Sequence, residues 1–140
     1  MVGGAVTSLA VLAILVPSTA NEAPARPDWY ADLEAMSADT VVLSDWGEGA
    51  YLMWRFPELD FVVSGYGDLY TDAELARNLR LDKASPGWLA DVKGTEARYA
   101  LVRTGSGLAY GLHTLEGWEE LERSDEFVLL QAPEDWPATR

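Results

Sequence analysis

The side chains best suited to chemistry in this 140-residue sequence are four acids, Asp45, Glu48, Asp68 and Asp72. They fall in the loops after the first two predicted strands, at the carboxyl ends where open α/β sheets commonly bind ligands. Carboxylate oxygens gathered there would suit a hard cation such as calcium or magnesium. The same residues also account for themselves structurally. Asp45-Trp46-Gly47-Glu48 has the form of a helix capping box, and Asp68 closes the turn Gly65-Tyr66-Gly67-Asp68. Arg55 offers a guanidinium for an anionic group or for an ion pair with one of these acids. With Tyr66 from the same turn, the candidate ligand-binding set is Asp45, Glu48, Arg55, Tyr66, Asp68 and Asp72. There is no EF-hand loop, and no metal or cofactor is assigned.

Covalent chemistry has little to work with. The chain has no cysteine, which removes disulfides, thiolate metal sites and cysteine nucleophiles together. Its single histidine, His113, would have to serve any Ser-His-Asp unit, with Ser106 nearby but without a G-x-S-x-G elbow. Gly105-Ser106-Gly107 could offer backbone amides to an anion, yet neither a dinucleotide fingerprint nor a P-loop accompanies it. No catalytic residue is assigned. The six tryptophans and six tyrosines have two readings, a packed core or a sugar-stacking surface. Trp29 and Tyr30, close to the N-terminal segment, also suit a membrane interface.

A net charge of -13 argues against nucleic acid as a partner, because such binding needs clustered Lys and Arg. The length fits one core. Trp29, Leu33 and Met36 have helical spacing, and Thr40–Ser44 is a β-branched strand run. A helix through Arg55 follows, with Tyr51, Leu52, Trp54 and Phe56 around it, so burial on most sides is expected. Asp60–Ser64 is a second strand, and Thr71 to Glu74 is a second capping box opening a helix through Arg80. Ser85-Pro86 starts a brief helix that Gly94 closes. Arg98–Arg103 is the third strand, Leu108–Leu115 a helix stopped by Gly117, and the runs Trp118–Glu122 and Glu126–Gln131 form a hairpin. Alternating strands and helices predict a compact, Rossmann-like α/β fold. Its mixed sheet would have four or five strands, flanking helices and a C-terminal β-hairpin.

One apolar helix precedes that domain. Met1 to Ala20 carries no charged side chain and is long enough to cross a bilayer, as an anchor, a last membrane span or a cleaved signal ending in Ser18-Thr19-Ala20. Residues 21–27 form a linker with two prolines, residues 28–136 the folded domain, and residues 137–140 a tail.

From Val41 onward the sequence resembles the C-terminal extracytoplasmic domain of bacterial multi-spanning proteins related to the GT-C, or mannosyltransferase-like, glycosyltransferases. The residues carrying this are Ser44-Asp45-Trp46-Gly47-Glu48-Gly49-Ala50-Tyr51-Leu52-Met53-Trp54-Arg55-Phe56-Pro57, then Gly67-Asp68-Leu69-Tyr70, Pro86-Gly87-Trp88, Tyr99-Ala100-Leu101-Val102 and Gly117-Trp118. The resemblance implies a last membrane helix at residues 1–20 and an extracytoplasmic location. It also implies an accessory role in acceptor binding, partner contact or stability, with a lipid-linked sugar handled by the parent protein. Catalytic acids of that superfamily lie in an early loop between membrane helices, so none carries over. Relatives often have Asp-Gly-Arg after the second strand where this chain has Ser64-Gly65-Tyr66. The alternative is a free-standing anchored or secreted module that binds a glycan, a peptide or a divalent cation.

Overall fold

The computed structural model describes residues 26–63 and 70–136. The elements run α1 (Trp29–Ala35), β1 (Val41–Ser44), α2 (Gly49–Arg55), β2 (Asp60–Phe61), α3 (Asp72–Asp82), α4 (Trp88–Lys93), β3 (Tyr99–Arg103), α5 (Gly107–Tyr110), β4 (Glu119–Arg123) and β5 (Phe127–Gln131). A π-helical turn, Gly111–Leu115, extends α5. The five strands form one sheet in the order β2-β1-β3-β5-β4. β2, β1 and β3 are parallel, while β5 runs antiparallel to β3 and pairs with β4. The mixed α/β fold and the terminal hairpin expected from the sequence are therefore present. The expected N-terminal apolar helix lies outside the described residues, and no helix among the described residues is long and apolar enough to cross a membrane.

Helices cover both faces of the sheet, which is why β1, β3 and β5 read as nearly continuous apolar runs. Alternate side chains divide between two cores. Leu43, Ala100, Val102, Val128 and Leu130 pack with Leu81 of α3, Val92 of α4, Leu108 of α5 and Trp118. Val42, Leu101 and Leu129 pack with Trp29, Tyr30 and Leu33 of α1 and with Leu52 and Phe56 around α2. β2 and β4 are the two edges, and Glu119, Glu120, Glu122 and Arg123 make the β4 edge a poor template for another strand.

Local chemistry explains the boundaries. Thr71 caps α3 with a full capping box: its Oγ1 accepts the Glu74 amide at 3.3 Å, and Glu74 accepts the Thr71 amide at 2.8 Å. Hydrogen bonds from the Thr71 amide first, and then from its hydroxyl at 2.9 Å, hold the Glu74 carboxyl below its ordinary range, and Thr71→Ala removes the second of them. Thr71→Ala should therefore cost about 1 kcal/mol in urea unfolding. A depressed carboxyl stabilises the fold above its unfolded pKa and loses that contribution as pH falls through the folded value. The gap between wild type and Thr71→Ala should accordingly narrow in acid. Gly117, at φ +73°, takes the left-handed conformation that ends the π turn.

Several expectations need correction. The second strand is short, Asp60–Phe61, although the Val62 amide still reaches the Val42 carbonyl. The Ser85-Pro86 pair forms the turn before α4 instead of its first residues, since the Trp88 amide bonds the Ser85 carbonyl and Gly87 precedes the helix. Trp29 and Tyr30, expected at a membrane interface, are 5% and 6% exposed within the core. α2 is not buried on most sides either. Leu52 and Phe56, one turn apart, face the sheet, while Tyr51, Met53 and Trp54 point outward and Trp54 is 75% exposed.

Candidate functional site

The connections leave the sheet in opposite directions around β1. From β1 the chain passes through α2 on one face to β2; from β2 it returns through α3 and α4 on the other face to β3. The carboxyl ends of β1 and β3 thus flank a topological switch point, the place where open α/β sheets form a crevice. Asp45, just past β1, faces Arg103, the last residue of β3, with Oδ2 3.4 Å from Nε. Its Oδ1 accepts the Gly47 amide at 3.0 Å. The capping box expected from Asp45 to Glu48 is therefore not formed: Glu48 makes no capping bond, and Asp45 is used by the ion pair and its own turn.

The floor of this crevice is polar. Asn78 of α3 is 1% exposed, and neither its amide nitrogen nor its amide oxygen has a hydrogen-bond partner. A buried polar group left so costs about 1–3 kcal/mol. Asn78 lines two adjoining lobes together with Asp45, Trp46, Asp82 and Arg103, an outer one of about 300 Å³ and an inner one of about 50 Å³. Ser44 is buried beside them and donates its hydroxyl to the Val63 carbonyl.

A larger cleft of about 690 Å³ lies on the opposite helical layer, between α1, α2 and the β4–β5 turn. Trp29, Tyr30, Tyr51, Trp54 and Phe127 supply its apolar lining, and Arg26, Glu48, Arg55, Asp125 and Glu126 its charges. The Tyr51 and Trp54 rings lie 6.2 Å apart at 40°. Arg55 donates to Glu34 at 2.6 Å and lies 5.5 Å from the Tyr30 ring centroid and 5.0 Å from that of Phe56. Among the described residues it thus pairs with an acid of α1 and not with Asp45, Glu48 or Asp72. Arg103 stands between the two depressions, since it also lies 5.2 Å from the Phe127 ring centroid.

Tyr30 and Tyr51 share a hydroxyl hydrogen bond at the cleft. Burial first, and then that bond, push the Tyr30 phenol up from 10.0 to about 12. A phenol raised in the folded state stabilises the protein fully below pH 10.0, and the contribution is lost as pH rises toward about 12. Tyrosinate absorbance should show this late phenol. Tyr51→Phe should bring it down only part of the way, because burial remains.

Of the six residues expected to bind ligand, the structure sets Asp45 in the crevice and Glu48 and Arg55 in the aromatic cleft. Asp72 is exposed in the first turn of α3 and lines neither. Tyr66 and Asp68 lie outside the described residues. Among the described residues no three His, Cys, Asp or Glu side chains gather as a metal site. Ser106 and His113 are engaged separately: Ser106 caps α5 through the Ala109 amide at 3.1 Å, and the His113 ring donates to the Trp118 carbonyl at 2.8 Å. Comparison with protein-family models, characterised proteins and solved structures finds no match. The GT-C resemblance therefore rests on the quoted motifs alone.

Proposed function

We propose that this chain is the accessory, extracytoplasmic binding domain of a membrane glycosyltransferase-like protein, and that the α1–α2 cleft receives a glycan. The observation that carries the binding role is the exposed Trp54–Tyr51 pair. At 75% exposure the Trp54 indole leaves a broad apolar face open to solvent beside the Tyr51 ring. Flat aromatic rings match the apolar face of a sugar, and the surrounding Glu48, Arg55, Ser124 and Asp125 match its hydroxyl rim. The cleft volume lies within the range of small-ligand sites. With a net charge of -13, a neutral glycan is favoured over an anionic one. The resemblance supplies the context: acceptor binding or partner contact outside the membrane, with lipid-linked sugar chemistry carried out elsewhere in the parent protein.

An antibody raised against residues 28–140, applied to fractionated source cells, tests that context. A membrane band several times larger than 15.3 kDa is expected. A band at or below that mass would overturn the accessory reading and favour a free-standing anchored or secreted module.

A further inference from the structure

We infer that the crevice at the carboxyl ends of β1 and β3 is a second binding site, for a small neutral polyol that presents neighbouring hydroxyls. This does not depend on the glycan reading of the α1–α2 cleft, because a different observation carries it. Asn78 is 1% exposed, and both polar atoms of its side chain lack partners at the floor of the crevice. A primary amide offers one acceptor and two donors from adjacent atoms, so its complement carries a donor beside an acceptor. Two vicinal hydroxyls meet that requirement.

The surroundings narrow the choice. Asp45 and Asp82 bring two carboxylates to a lobe with one guanidinium, that of Arg103, which Asp45 already pairs, and the whole chain is strongly acidic. A carboxylate or phosphate ligand is disfavoured by that balance. The carboxylates accept further hydroxyl protons, while Arg103 donates from across the mouth. Trp46, half-buried with its ring centroid 5.9 Å from that of Tyr70, gives one wall an apolar face. The outer lobe of about 300 Å³ stands at the lower limit of ligand pockets, which sets the occupant at one sugar ring or a cyclitol and not a chain. Its place at the switch point of the sheet is the one that connectivity alone would select.

The test is an amide NMR titration of the full chain with glucose, galactose, mannose and myo-inositol, each raised to tens of millimolar, with acetamide and inorganic phosphate as controls. At least one polyol should shift the Asn78 side-chain amide and the amides of Asp45, Trp46 and Arg103 saturably. Asn78→Leu should melt at a higher temperature than wild type without ligand, since it removes the unpartnered amide, and should bind the polyol about tenfold more weakly or not at all. Asp82→Asn, an exposed change, should weaken binding without altering the fold. Trp54→Ala should leave this titration unchanged, which separates failure here from failure of the cleft. The inference is overturned if no polyol shifts Asn78, in which case ordered water alone serves its amide. It is equally overturned if acetamide or phosphate binds in preference, or if Asn78→Leu binds as well as wild type.

Discussion

Trp118→Ala is expected to cost about 3–5 kcal/mol of folding stability, a large share of the ~5–15 kcal/mol available to a domain of this size. Trp118 is 1% exposed, and it meets Trp136 edge-on with ring centroids 5.1 Å apart and planes at 80°. Little nearby can collapse into the space. Trp136 is itself tied down, because Arg98 donates to its carbonyl at 3.1 Å and to that of Pro133 at 3.0 Å. Urea unfolding should show a lower midpoint with an unchanged slope. Trp118 belongs to the core on the α3–α5 face, so the folded fraction should keep the properties of the α1–α2 cleft.

Phe56→Ala should be comparably destabilising, by about 3–5 kcal/mol, but with a different signature. Phe56 is fully buried under the cleft, where its ring lies 5.2 Å from Tyr30 and 5.0 Å from the Arg55 guanidinium carbon. Its loss should loosen the Tyr30–Tyr51 contact, bring the Tyr30 phenol back toward its ordinary value, and weaken any ligand held by the cleft. Tyrosinate titration of the two variants separates the faces. Trp118→Ala should leave Tyr30 high, whereas Phe56→Ala should not.

The contrast between these residues also shows what could be read from sequence. Trp118 reads only as the start of an extended run, whereas Phe56 is large and apolar at the end of a run that reads as buried, so its membership of the core was legible. The strands were legible for the same reason, since only a sheet covered on both faces buries Val42 and Leu43 together. Trp54 was not. Apolar residues all round α2 read as burial, but the large side chains it buries are Leu52 and Phe56, and the Tyr51 and Trp54 rings line a cleft instead. α3 misleads in the opposite sense: Asn78 and Leu81, three apart, turn inward, while Leu79 is left 55% exposed. Composition favours Leu79 for the core and Asn78 for solvent, and tertiary rotation of the helix reverses them.

Of the loop acids, the described Asp45, Glu48 and Asp72 stand apart, in the crevice, in the aromatic cleft and on the exposed first turn of α3. Asp45 does stand at the carboxyl end of β1, but its partner is Arg103 from β3, about sixty residues away in a strand that reads simply as core ending in a surface cation. The switch point depends on strand order, which local spacing does not encode. Capping boxes show a related limit. Thr71–Glu74 forms as its pattern predicts, whereas Asp45 is drawn into the pair with Arg103.

The central claim, that the α1–α2 cleft binds glycan through its exposed rings, is tested most directly by following the tryptophan indole N–H signals of the full chain during titration with neutral mannose, glucose and N-acetylglucosamine oligosaccharides. One of these should shift the Trp54 indole saturably. Trp54→Ala should weaken binding about tenfold or more while changing stability by no more than about 0.5 kcal/mol. Indole signals that stay unmoved by every oligosaccharide, or a Trp54→Ala variant that binds as tightly as wild type, would contradict it.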